Sequence, residues 1–256
     1  MKNVIAGLAL ALTLPIAMAD SATARLSNLA ITVEDLDPSD PNVPNPSWSQ
    51  NVGRSEVTYI LPGAQPIVFG RDLTGPTDTL SYEQGVDNLT VNADWNEGLL
   101  EATADVSGTG VAYSGFTSRD IQAPGLLFLI PAQTSVTLSA DAFVTAATDY
   151  LCATTCFGAR AFAGLTLTVN GEEQADQAEV AVGNGATFDT LSGQLTLTYS
   201  NTTEAAQWAS LSAFVDVTGE VVPVPEPETY ALMGLGLAAL MLRRRSTAAS
   251  KAQASA

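Results

Sequence analysis

The stretch Ala161-Phe162-Ala163-Gly164-Leu165-Thr166-Leu167-Thr168-Val169-Asn170-Gly171 decides the fold. Ala161, Ala163, Leu165, Leu167 and Val169 recur every second residue, the period of a strand with one buried face. Asn170-Gly171 then supplies two residues that tolerate positive φ, the strongest short hairpin signal. Working outward, the same period recurs in both directions. Leu211, Ala213, Val215 and Val217 follow it, as do Leu195, Leu197 and Tyr199. Upstream come Val136, Leu138, Ala140, Ala142 and Val144, then Leu100, Ala102, Ala104 and Val106, and Leu89, Val91, Ala93 and Trp95. Val57, Tyr59 and Leu61, and Leu29, Ile31 and Val33, are the earliest. Gly183-Asn184-Gly185 marks a further reversal. No helical stripe interrupts residues 20–225. Eight to ten strands at this spacing predict an all-β domain, an antiparallel β-sandwich of jelly-roll-like type.

The ends read differently from the middle. Lys2, an apolar run from Val4 to Leu14 and the small-residue site Ala17-Met18-Ala19 form a secretory signal peptide, with Asp20 as the first mature residue. Ala22-Thr23-Ala24 offers a second cleavage site, before Arg25. Eleven apolar residues are too few to span a bilayer. At the other end, Val222-Pro223-Val224-Pro225-Glu226-Pro227-Glu228 cannot enter a helix or a central strand. Thirteen uncharged residues, Tyr230 to Leu242, then lead directly into Arg243-Arg244-Arg245. Such a segment predicts a short transmembrane helix with the arginines on the cytoplasmic side, so all that precedes it lies outside. As a helix it covers about 20 Å of a hydrocarbon core about 30 Å thick, so it recruits Thr229 and the snorkelling arginines or thins the bilayer.

Proline strip, carboxylate, apolar run and arginines, in that order, resemble the PEP-CTERM sorting signal of Gram-negative bacteria. The residues that carry the likeness are Val224-Pro225-Glu226-Pro227, Glu228 to Leu237, and Arg243 to Arg245. The resemblance implies recognition by an exosortase at the inner membrane, processing around Pro225-Glu226-Pro227, and delivery to the cell surface or extracellular matrix. Eleven residues follow Arg245, where members of the family usually stop. Four parts result: residues 1–19 as signal peptide, 20–222 as exported domain, 223–246 as sorting signal, and 247–256 as polar tail.

Composition narrows what the exported part does. The 256-residue chain has 27 acids, 10 basic residues and no histidine. Between Asp20 and Pro225 the only basic residues are five arginines, set against 25 acids, a net charge near −20 without a lysine. Nucleic-acid binding is excluded on charge. Ser-His-Asp and Cys-His devices, His-ligated zinc, Schiff bases and Ser-Lys dyads lack their residues.

Four constellations remain. Cys152 and Cys156 are the only cysteines, and outside the cell they read as a disulfide closing a short loop. A redox pair or a metal clip is the alternative, without the usual C-x-x-C spacing and without further ligands. Asp35, Asp37 and Asp40 follow the first strand, where clustered carboxylates suit calcium and an Asp/Pro-rich turn explains them equally well. Asp94-Trp95-Asn96-Glu97 sets acids beside an aromatic, but 25 acids place some beside tryptophan by chance, so no catalytic pair is assigned. Trp48, Trp95 and Trp208 are candidates for a sugar-stacking platform or for the core. Thr166 to Thr168 and Thr196 to Thr198 are Thr-Leu-Thr triplets, the spacing of ice-binding threonine ladders, although two isolated triplets make no ladder. The expectation is a non-enzymatic surface or matrix protein without a cofactor. The alternative is a module that binds extracellular polysaccharide, other carbohydrate or ice.

Overall fold

The computed structural model describes residues 19–39, 44, 50–73, 75, 77–94, 96–107, 110–122, 128–149, 158–183 and 186–221. These fall within one compact unit, Met18–Val222. Thirteen strands run through them: β1 (Ala19–Asp35), β2 (Gln50–Ile60), β3 (Ile67–Leu73), β4 (Thr77–Gln84), β5 (Asp87–Asp94), β6 (Leu99–Ser107), β7 (Val111–Gln122), β8 (Phe128–Ile130), β9 (Thr134–Thr148), β10 (Ala159–Val169), β11 (Glu172–Ala181), β12 (Phe188–Asn201) and β13 (Gln207–Val221). The fold is all-β, with every pairing antiparallel. Sheet A has the order β12-β9-β1-β6-β5-β4, and sheet B the order β11-β10-β13-β7-β2-β3, with β8 on β13.

The thirteen strands exceed the eight to ten expected. Of the added ones, β7 buries Val111, Tyr113, Gly115 and Thr117, β8 buries Phe128 and Ile130, and β4 half-buries Leu80 and Tyr82, whereas β3 is exposed along five consecutive residues and the first half of β11 buries almost nothing. The register of these last two comes from neighbours rather than from their own alternation.

One hydrophobic core joins the inner faces of both sheets. Small residues dominate the centre of sheet A, where Ala22, Ala24, Ala102, Ala104, Ala140 and Ala142 are buried. Leu165, Leu167, Leu211, Val215 and Val217 supply bulk from sheet B, and Leu26, Leu89, Leu100 and Leu138 from sheet A. Small and large side chains meeting across the interface let the two layers interdigitate.

Local devices fix the strand ends. In β1 the inward positions are even up to Leu26 and odd from Leu29, because the register with β9 shifts between Ser27 and Ala30. Asn28 absorbs the extra residue at φ 53°, and its Nδ2 donates to Asp141 Oδ2 at 2.7 Å. Gly98, at φ +61°, lies so close that a Cβ there would stand 2.8 Å from the Leu29 nitrogen. The expected hairpin forms at Asn170-Gly171, with φ 51° and 87°, the two positive values of a type I′ turn. Asp87 is buried between the sheets: the Tyr59 hydroxyl donates to it, as do Ser107 N at 2.7 Å and Ser107 Oγ at 3.0 Å. Asn201, fully buried, donates through Nδ2 to the carbonyls of Ile130, Pro131 and Ala205 and so ties the approach to β9 to the β12–β13 turn.

Both open edges of the sandwich are closed by side chains. Arg71 of β3 meets Asp78 of β4 at 2.9 Å. On the other side Asp176 Oδ2 of β11 accepts the Thr196 backbone N–H of β12 at 2.7 Å. A carboxylate on a free N–H removes the group on which another strand would pair.

Candidate functional site

The outer faces of the two sheets are where this domain meets its surroundings, and their chemistry differs. On sheet A the register aligns Thr190, Thr145, Thr23, Thr103, Thr90 and Ser81, one from each of six strands. Adjacent members are about 4.7–4.9 Å apart across the strands. Their hydroxyls are largely spent within the sheet. Thr190 donates to the Val144 carbonyl, Thr145 to that of Asp189, Thr103 to that of Thr90, and Thr90 to Asn88 Oδ1. The Thr-Leu-Thr triplets do not join this row as one ladder. Thr196 and Thr198 lie beside it on sheet A, where Thr198 pairs with Thr137 at 2.9 Å, whereas Thr166 and Thr168 belong to sheet B.

On sheet B the outward positions of β13 are Trp208, Ser210, Ser212, Phe214, Asp216 and Thr218. Asp216 stands opposite Phe162 of β10 on one side and Phe116 of β7 on the other. Phe214 stacks on Phe162 with ring centroids 5.3 Å apart, and Arg160 lies over the same ring at 5.4 Å while binding Glu179 at 2.8 Å. Gly164 makes this possible: a Cβ there would stand 2.8 Å from Phe214 Cζ. Burial among the rings pushes the Asp216 carboxyl up to about 6, with Arg160 pulling the other way. Trp208 is half exposed at the far end of the strand. Three phenylalanines, a carboxylate and a guanidinium thus share one flat surface, with an exposed tryptophan farther along the same strand face. Rings suit stacking, and a perturbed acid beside them suits hydrogen bonding to a polar ligand.

Only Trp208 of the three tryptophans is described; Trp48 and Trp95 lie outside the described residues. The sequence reading missed Phe116, Phe162 and Phe214, which are scattered over a hundred residues, and the signal that reveals them is strand register. A shallow cleft of about 230 Å³ opens at one sandwich edge, lined by Val169, Asn170, Glu172, Gln174 and Tyr199.

The remaining candidates divide by placement. Asp35 Oδ1 accepts the Asp37 N–H at 2.9 Å, and Asp37 Oδ1 accepts the Ser39 N–H at 3.2 Å and the Ser39 hydroxyl at 2.5 Å, so both carboxylates hold successive turns. Asp40 lies outside the described residues. Among the described residues no three His, Cys, Asp or Glu side chains converge as metal ligands. Asp94 Oδ1 likewise holds a turn, through the N–H groups of Asn96 and Glu97. Ala19, Asp20, Ala24 and Arg25, the residues flanking both cleavage sites, all lie in β1. Cys152 and Cys156, the residues before Ala19 that the sequence reads as a signal peptide, Pro225-Glu226-Pro227, the apolar segment and Arg243 to Arg245 lie outside the described residues. Among the described residues no helix is long and apolar enough to cross a membrane.

Fold and termini together define an antiparallel all-β domain followed by a sorting segment. Residues 223–245 match the PEP-CTERM protein-sorting motif, which marks the chain as one exported and sorted by an exosortase. No curated protein and no solved structure matches the chain.

Proposed function

We propose that this jelly-roll-like sandwich is a non-enzymatic component of the cell surface or extracellular matrix, exported behind a cleaved leader and anchored through residues 223–246 until an exosortase processes it. The observation that carries this reading is the PEP-CTERM match directly behind a strongly acidic, β-rich unit. Such a charge keeps the domain soluble and repels anionic lipid. Neutralising Arg243, Arg244 and Arg245 removes the charges that retain a short apolar segment, so that variant escapes as an unprocessed soluble form. Replacing Pro225-Glu226-Pro227 leaves a membrane-bound precursor instead. Fractionation and immunoblotting of both variants test it; the parental distribution in both would sink the reading.

A second reading, a carbohydrate-binding module, is favoured by the sheet B surface around Asp216. Stacking on Trp208 and Phe214 with a hydrogen bond to Asp216 is the contact expected for a neutral polysaccharide. The double variant Trp208→Ala and Phe214→Ala then loses retention on the host's matrix polymer, while its melting curve shows that it still folds. Equal retention of parent and variant removes this second reading and leaves the structural role standing.

A further inference from the structure

Asp20 begins the exported domain with a buried carboxylate. It is 2% exposed, between Val106 of β6 and Thr148 of β9, and its Oδ2 has no hydrogen-bond partner among the described residues. The Tyr113 hydroxyl of β7 nearby is also buried and has no hydrogen-bond partner among the described residues. Among the described residues the charged group acting on the Asp20 carboxyl is Asp149, and those acting on the Tyr113 hydroxyl are Asp20 and, from the outer face of β6, Asp105; none of them is a cation. Burial raises the Asp20 carboxyl to about 6, helped by Asp149 and opposed by a hydrogen bond from Thr148. An orphaned acid in such a place is costly and calls for a partner.

The residue before Asp20 is Ala19, the last of the Ala17-Met18-Ala19 site. We propose that removal of the leader creates the missing partner, the new α-ammonium of Asp20 pairing with its own carboxylate and with Asp149. Water adds across the Ala19–Asp20 amide; the Ala19 carbonyl carbon takes the oxygen and leaves as a carboxylate. The Asp20 nitrogen keeps the bonding pair and takes protons to become an ammonium. A neutral amide with one N–H thereby becomes a cation with three donors, within hydrogen-bond reach of the residue's own side chain. The inference rests on cleavage after Ala19. The fold favours that site over the alternative, because cleavage after Ala19 gives up only the pairing of Ala19 with Ser107 and its carbonyl's bond from the Asp149 N–H, whereas cleavage after Ala24 would also remove Asp20 to Ala24, which pair with β6 and β9 together.

The test uses the full chain, exported in two forms: one cut after Ala19, and one with Gly-Ser inserted between Ala19 and Asp20 so that the ammonium is displaced. Amino-terminal sequencing verifies each start. At pH 7, Asp20→Asn should lower the melting temperature of the first form and leave unchanged or raise that of the second. The α-amine of the first form, followed by NMR after reductive methylation, should titrate above its ordinary value of about 7.7–8.0. An effect of the same sign in both forms, or an unshifted α-amine, overturns the pairing. A mature chain beginning at Arg25 overturns it differently, by removing the cleavage site while leaving the sorting signal untouched.

Discussion

Sheets A and B both turn an apolar inner face to one core and present opposite kinds of outer face. On sheet A the row from Thr190 to Ser81 is built of residues that suit exposed strands, and four of its six hydroxyls, those of Thr190, Thr145, Thr103 and Thr90, are bonded to nearby carbonyls or to Asn88. On sheet B an acid sits among phenyl rings, with a glycine cleared beneath one of them. The first surface largely satisfies itself. The second holds a carboxyl at a raised pKa beside apolar rings, an arrangement that strand propensity does not call for.

The difference can be broken most forcefully at Gly164. Gly164→Val drives two methyls into Phe214 and should cost about 2 kcal/mol in urea unfolding, the usual scale of overpacking, while scattering the aromatic surface. A loss below about 0.5 kcal/mol would mean that Phe214 is loosely held.

Next in size is Asp216→Asn. A carboxyl raised from 3.8 to about 6 binds its proton more tightly when folded, so its stabilising contribution is full below pH 3.8 and is lost as the pH rises through 6. A shift of about two units would be worth close to 3 kcal/mol for a fully buried group, and partial exposure reduces it to about 1 kcal/mol. The asparagine variant should therefore gain on the parent by that amount between pH 4 and pH 7, as measured by melts across the range. Parallel pH profiles would count against a desolvated acid on sheet B.

The smallest effect belongs to sheet A. Thr103→Val keeps the β-branched shape and removes one hydroxyl from the middle of the row, with a stability change within about 0.5 kcal/mol and no change in polymer retention or in ice growth. Thermal hysteresis in the parent that Thr103→Val abolishes would reverse the assignment of the two faces.

Legibility in the sequence followed burial. Where the residues of a strand that face the core are aliphatic, as from Ala161 to Val169 or Val136 to Val144, the two-residue period shows through and the element is found, whereas β7, which turns Val111, Tyr113, Gly115 and Thr117 inward, escaped the sequence reading. The edge strand β3 carries no such signature, since it exposes Val68 through Asp72 in succession. The bulge at Asn28 was hidden because the phase change falls on Ser27 to Leu29, where no apolar pair marks it. Surfaces were less legible than strands. Phe116, Phe162 and Asp216 become neighbours only through the pairings of β7, β10 and β13, which no local pattern specifies. The sorting segment stood at the other extreme, because its information is the linear order of proline, carboxylate, apolar run and arginine.

The place of β1 sets a timetable for the folding of the chain. It is the first strand to emerge from any channel that threads the amino end first, yet it lies in the interior of sheet A, with Ala22 held between Ala104 and Ala146. Neither neighbour exists until roughly eighty to a hundred and thirty residues later in the chain. A strand that must wait for both flanks cannot fold as it arrives, and such long closures are slow. The opening segment therefore crosses extended and unpaired, and the whole domain locks late. That delay keeps the chain threadable, and it also makes the interval before β9 arrives the period in which a foreign strand has its best opportunity to insert.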